Sequence, residues 1–319
     1  MDPIAARGEL NFMAPEVPSS LYRNGGVLTR RDADGSDAGT EGIVVDKRVL
    51  ELGDARSAEP TLERNGFELL AEPIRSAEVD FMDHASVVAH YYAECEALVR
   101  AHTGAGSVHA FDHNIRSASG KAGKARVSGG QEVQGPAHVV HGDYTLRSAR
   151  DRLDQLSAPP SGNDTYAARL EPGTALISPD QIAAVDAGAR FAIINVWRSI
   201  ADEPVATRPL ALCDGASVQP DELVVFEIHY ADRVGENYFA KHDDAHRWLT
   251  YPGLTRDEAL LIKQWDSAGA LARSGGATAD GAEDGPCTFS FHSAYKDPDA
   301  APDAPDRWSI EVRCMVVYD

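Results

Sequence analysis

Two short strings carry side chains able to grip a metal ion and an anion. In HVVHGDYT (138–145), His141 and Asp143 stand two positions apart. On a β-strand, residues i and i+2 project from one face, so an imidazole and a carboxylate can reach the same ion. Gly142 turns to the other face and allows close packing there. A second imidazole from a distant strand would complete a two-histidine, one-carboxylate face suited to Fe(II), with positions left for oxygen and a co-substrate. Taken alone, H-x-D is a weak signal in a chain of 11 histidines.

The second string is RWS (307–309). Arg307 and Ser309 share a strand face, and a planar, permanently charged guanidinium beside a hydroxyl matches a carboxylate. That pair suits the far carboxylate of 2-oxoglutarate, whose other end chelates iron. The nearest upstream histidine is His292, on what reads as the preceding strand, so it is the favoured distal ligand, with His246 in reserve. Arg313 shares the face of Arg307 and is the alternative carboxylate anchor, with Glu311 placed to neutralise it. The plainer reading of Arg307 is a surface pair with Asp306 or Glu311.

Other groupings weigh less. Arg198 and Asn195 end the apolar string RFAIINVWRSI (190–200) and are candidates for contact with co-substrate or substrate. A buried Arg198 bonded to backbone carbonyls is an equal alternative. His109, Asp112 and His113 form H-x-x-D-H, but the surrounding VHAFDHNIR has strand character, which favours a pocket or structural role. On a strand, His138 points away from His141 and reads as a packing or supporting residue.

The elements that must position these groups are mostly strands. Apolar, β-branched runs predict strands at 137–145, 190–200, 210–217, 223–230, 237–241, 247–251, 288–295 and 307–318. Helical spacing predicts helices over 83–102, stopped by Gly104, and over 145–156. Thr255 and Glu258 form a capping box that predicts a third helix through about 265. The first 65 residues read as mixed, with one short strand at 42–45. The segments 117–135 and 268–286 read as loops, the first of them mobile and placed directly before the H-x-D strand. A single domain over 1–319 is expected, with a helical or mixed elaboration (1–135) before a β-rich core (136–319) folded as a sandwich or open barrel.

Composition narrows the function. A formal net charge of -20 disfavours nucleic acid and membrane surfaces as partners. The acidity is expected on solvated faces and in loops such as 32–37 and 297–306. Nothing in the chain reads as a membrane span or an export signal. Four scattered cysteines without a CxxC pair read as buried free thiols in a reducing cytoplasm. Nucleophile-elbow, phosphate-loop and dinucleotide motifs are missing from the sequence. The expected partner is a small molecule, with a homodimer left open.

The motifs together resemble the CmcJ-like oxidoreductases, a family named for a component of cephamycin methoxylation that includes fungal gibberellin desaturase and hydroxylase/desaturase proteins of biosynthetic clusters. The resemblance rests on GFELL (66–70), YYAECEALV (91–99), FDHNIR (111–116), HVVHGDYT (138–145), AIINVWRSI (192–200), PLALCDGASV (209–218), HRWLTYPGLTRDEALLIKQWDS (246–267), FHSAYKDP (291–298) and RWSIEVR (307–313), in order along the chain. It implies a mainly β fold with flanking helices around a double-stranded β-helix (jelly-roll, cupin-like) core. It also implies Fe(II), 2-oxoglutarate and O2, with hydroxylation or desaturation of a small organic molecule. Carried onto matching positions, it implies His141, Asp143 and His292 as ligands and Arg307 as co-substrate anchor. A 2-oxoglutarate-independent iron oxidase and a non-catalytic partner subunit are the alternatives.

Overall fold

The computed structural model describes residues 3–31, 37–161, 164–230 and 233–319. The acidic stretch expected at 32–37 lies, Asp37 aside, outside the described residues. Strands in the first half are β1 (Ile4–Met13), β2 (Leu28–Arg31), β3 (Asp37–Glu41), β4 (Val45–Asp54), β5 (Phe67–Leu70), β6 (Ser107–Arg116) and β7 (His141–Gly142). Those in the second half are β8 (Phe191–Ser199), β9 (Leu210–Cys213), β10 (Leu223–His229), β11 (Val234–Ala240), β12 (Trp248–Thr250), β13 (Ala259–Asp266), β14 (His292–Ala294) and β15 (Ser309–Val317).

Ten of these strands form one sheet, ordered β1-β4-β12-β9-β14-β7-β11-β10-β2-β3. The other five form a second sheet, ordered β5-β13-β8-β15-β6. Neighbours distant in sequence, such as β9, β14, β7 and β11, give the crossing connections of a jelly roll, so the expected double-stranded β-helix is the fold observed. The two sheets face each other, and polar side chains meet between them: Asp143, just after β7, bonds to Asn195 on β8 and Arg313 on β15.

The first 135 residues were expected to be helical or mixed, yet they supply β1 to β6 and contribute to both sheets. The signal was weak because β1 and β4 pair along their full length near a sheet edge, where β4 (VDKRVLELGD) keeps most of its side chains in water. The helix expected over 83–102 starts behind an Asp83 cap, widens into a π turn at Val87–Tyr91 and continues as Tyr92–Thr103. Gly104 ends it with a φ of 66°, a conformation open to glycine without strain. The segment 117–135 is not an open loop. Ser117 caps a short helix, Ala118–Ala122, and Arg126 bridges to Glu132.

The helix expected from Thr255 is a strand. The capping-box bond forms, with the Thr255 N–H donating to Glu258 Oε2 at 2.9 Å, but the chain then extends as β13. Every residue of β13 is buried, because it lies between β5 and β8 and is covered on both faces. Its string ALLIKQWD is apolar on both strand faces, a pattern that suits an interior strand better than a one-sided helix. Glu258 instead pairs with Arg56 at 2.6 and 3.1 Å.

The helix Tyr92–Thr103 buries Tyr92, Cys95 and Val99, and it packs on β6, β15 and β8. It covers the outer face of the second sheet and leaves the inner face to the site. Ile262→Ala on β13 should cost about 2–5 kcal/mol of stability, because the site cannot collapse around the lost side chain. Asp257→Ala in the exposed turn before it should stay within about 0.5 kcal/mol. Urea denaturation of both variants checks the contrast, and equal losses would argue against an interior strand.

Candidate active site

Register builds the site. On β15, Ser309, Glu311 and Arg313 stand opposite Arg116, Asn114 and Asp112 of β6. On the other side the same three stand opposite Ser199, Trp197 and Asn195 of β8. Directly paired residues share a face, so a polar stripe runs across the inner face of three strands. In the facing sheet, β14 pairs with β7 so that His292 lies opposite His141. Gly142 projects away from this face, and a Cβ there would come within 3.2 Å of the Phe289 ring.

This topology brings His141, Asp143 and His292 together. One ligand-capable atom from each lies within 4.8 Å of the others, the single such group among the described residues. The two imidazoles are 4.4 Å apart, centroid to centroid. Nδ1 of His141 faces the Val139 carbonyl at 2.7 Å, and Nδ1 of His292 faces the Ser290 carbonyl at 3.4 Å. Bonding to those carbonyls puts the proton on Nδ1 and leaves each Nε2 lone pair free for a cation. Burial, and then His292, push the His141 imidazole down to about 3, so it is neutral and ligand-ready. Burial works to raise the Asp143 carboxyl, but Arg313, both imidazoles and the Asn195 bond outweigh it and hold the group ionised. Two imidazoles and one carboxylate are a donor set that fits Fe(II).

A second feature is an excess of buried cation. Arg307 is buried, its Nη1 donates to the Arg208 carbonyl, and its Nε has no hydrogen-bond partner. The hydroxyls of Ser309 and Ser199 are likewise buried without partners. Burial, and then the nearby Arg116, push the Arg307 pKa down to about 9. Arg116 donates to the Gly135 carbonyl at 2.9 Å and lines the cavity beside His141. Buried guanidinium and hydroxyl donors left without partners are costly unless an anion joins them. A dicarboxylate such as 2-oxoglutarate fits that requirement. Arg116 went unremarked in the sequence, although alternation in FDHNIR puts it on the face of Asp112.

Two expected co-substrate contacts stand elsewhere. Arg198 lies on the opposite face of β8 from Asn195, because side chains alternate along a strand. Its guanidinium bonds to the Tyr91 hydroxyl and to the Glu72 and Arg256 carbonyls, so it ties the covering helix to the sheet. Arg313 is on the inner face, but its fork is filled by Asp143, Asp112 and Glu311. Burial opposes its charge, and those three carboxylates outweigh burial and push its pKa up. The reserve histidine, His246, bonds to Glu222 at 2.7 Å, apart from the 141/143 pair.

A cavity of about 890 Å³ opens beside the ligand face, within the range of small-molecule sites. Phe111, Tyr144, Phe226 and Phe239 give it aromatic surface. The helix Ser148–Leu156 adds Ser148, Asp151, Arg152 and Gln155, four residues of one helical face.

The fold and this interior define a jelly-roll oxidoreductase. The family model described as "Oxidoreductase/YMDC permease-like domain" matches residues 10–317, and the chain belongs to that family. It is 44% identical over 193 residues to an uncharacterized protein of the dcmA 3' region of Methylophilus leisingeri, covering 60% of this chain and 89% of that one. It is 29% identical over 297 residues to the hydroxylase/desaturase poxK of Penicillium oxalicum, covering 85% and 79%. It is also 29% identical over 274 residues to the Fe(II)/2-oxoglutarate-dependent dioxygenase nvfI of Aspergillus novofumigatus, covering 84% and 82%. A solved structure of the iron and alpha-ketoglutarate-dependent endoperoxidase NvfI superposes with a TM-score of 0.74 over 99% of both chains, at 23% identity, a likeness of fold.

The H-x-x-D-H string divides between the two faces of β6. Asp112 faces inward to Arg313, while His113 faces outward, bonds to the Tyr92 hydroxyl at 2.9 Å and stacks on His84. Burial lowers the His113 pKa from 6.5 to about 4. The folded chain therefore refuses a proton that an unfolded chain accepts near 6.5. Stability is full above that value and declines as the pH falls toward 4, by about 3 kcal/mol from this residue. Denaturation midpoints across that window should decline less steeply for His113→Gln than for the parent chain, and parallel declines would rule the residue out.

Proposed function

We propose that this chain is an Fe(II)- and 2-oxoglutarate-dependent dioxygenase that hydroxylates or desaturates a small organic molecule. The observation that carries the reading is the convergence of His141, Asp143 and His292 beside the buried Arg307, which lacks an anion, and the half-buried Arg116. His141 and His292 would bind iron through Nε2, and Asp143 through a carboxylate oxygen. Bound iron supplies oxygen activation, driven by decarboxylation of 2-oxoglutarate to succinate, and removal of hydrogen from an unactivated carbon.

The chain's own contribution is position and charge. Arg307 and Ser309, with Arg116 beside them, would hold the co-substrate's far carboxylate and neutralise it away from bulk water. The aromatic wall would orient the substrate's hydrocarbon, and burial of the ligand face would keep solvent from the reacting atoms. We read residues 1–319 as one domain, since both sheets draw strands from both halves of the chain. The four buried free cysteines support a reducing, cytoplasmic setting. Among the described residues, no helix is long and apolar enough to cross a membrane.

The test needs no substrate. Anaerobic protein mixed with Fe(II) and then 2-oxoglutarate should develop a visible metal-to-ligand charge-transfer band. His141→Ala, Asp143→Ala and His292→Ala should each abolish it, and a band that survives all three would refute the assignment. Arg307→Met should keep metal binding yet raise the 2-oxoglutarate concentration for half-maximal band intensity by roughly 10- to 100-fold, equivalent to losing one charge-assisted contact. A band that forms equally well with 2-oxobutyrate, which has no second carboxylate, would remove the anchoring role.

A further inference from the structure

The surroundings of Arg313 give it a role beyond supplying counter-charge to Asp143. Its position opposite Asn195 on one side and Asp112 on the other puts its guanidinium on the inner face of the sheet. Nε bonds to Asp143 Oδ2 at 3.1 Å, Nη1 to Asp112 Oδ2 at 2.9 Å and Nη2 to Glu311 Oε1 at 3.0 Å. Each of its three nitrogens already donates to a carboxylate, in contrast to Arg307 with its unpartnered Nε. The same Oδ2 of Asp143 also accepts from Asn195 Nδ2 at 3.2 Å. Gln264 Oε1 fixes the backbone by accepting the Asp143 N–H at 3.1 Å. Oδ2 is thus taken twice, and Oδ1 is left toward the imidazoles, 3.7 Å from His141 Nε2.

We propose that Arg313 is a positioning residue: with Asn195 it locks the Asp143 carboxylate so that a single oxygen, Oδ1, is presented to the metal. An unrestrained carboxylate can rotate to chelate through both oxygens and occupy the position that oxygen needs, leaving free the two that a keto acid takes. Asp112 and Glu311 hold the guanidinium from behind, so the aim of the fork does not depend on the metal. The inference rests on the ligand assignment proposed above and concerns only how Asp143 is held.

Metal affinity and co-substrate affinity separate the two roles open to Arg313. Calorimetric titration of metal-free protein with Co(II) should show Arg313→Lys binding roughly 10- to 100-fold more weakly than the parent, as expected when an outer partner of a ligand is lost. At saturating metal, the 2-oxoglutarate requirement should change by less than about twofold. The visible Co(II) spectrum should change in band position and intensity as the carboxylate becomes bidentate. Asn195→Ala leaves every charge in place and removes one of the two bonds to Oδ2, so it serves as a second variant if the arginine change impairs folding. It should weaken Co(II) binding in the same direction. Unaltered Co(II) affinity and spectrum in a folded variant would overturn the positioning role, and a raised 2-oxoglutarate requirement with normal Co(II) binding would make Arg313 a co-substrate anchor. A parent chain that binds no Co(II) would instead defeat the ligand assignment itself.

Discussion

A carboxylate buried between two β-sheets stays ionised only where positive charge meets it, and this constraint organises the interior of the protein. Asp143 lies at the inner surface of one sheet, and its counter-charge, Arg313, comes from the other. The ion pair therefore acts across the sandwich. It needs β15 in register with both β6 and β8, because that register sets Asp112 and Asn195 on either side of the guanidinium. Removing one partner from such a network leaves the others buried and uncompensated, which costs far more than the pair's net gain. The stripe of Asp112, Asn114, Arg116, Glu311 and Arg313 would be a liability in a sandwich core built only for stability. Its presence supports the proposal that this face is the active interior.

Opposite signs are segregated within that interior. Carboxylates gather around Arg313 at the ligand face, while Arg116 and Arg307 stand together with hydroxyls that have no partner. A cation suits the first region and an anion the second. A keto acid that touches a metal with one end and an arginine with the other would link them, so the molecule's unbalanced charges describe the ligands it should take. The sheet is held from the other side, by the buried apolar face of the helix Tyr92–Thr103 and by the hydrogen bonds of the Arg198 guanidinium.

Much of this was legible from residue order. H-x-D spacing and the R-x-S string pointed to the two regions, and the apolar runs of β8, β10 and β15 pointed to the strands that carry or face them. The failures have physical causes. Capping residues at 255 and 258 signal a turn, and local signals alone do not reveal that the following eight residues will be covered on both faces. Strands β1 and β4 are solvated on one side and carry charges that mask their period. The role of Arg313 could not be read because only Glu311 of its three partners lies on its own strand, while Asp112 comes from β6 and Asp143 from the turn after β7. Arg198 and Asn195 are three positions apart on one strand, and only alternation separates a residue facing Asp143 from one facing the covering helical segment.

His292 sits on β14, a strand of three residues held between β9 and β7. So short a strand has little hold of its own, and it is inserted beside β7 late in the order of the chain. An ion bound by its imidazole and by the 141/143 pair would fasten the last part of the polypeptide to the middle, like a rivet through two overlapping plates. Loading the metal would then complete the barrel wall as well as arm it, and chains synthesised without metal would keep this seam as their point of earliest opening.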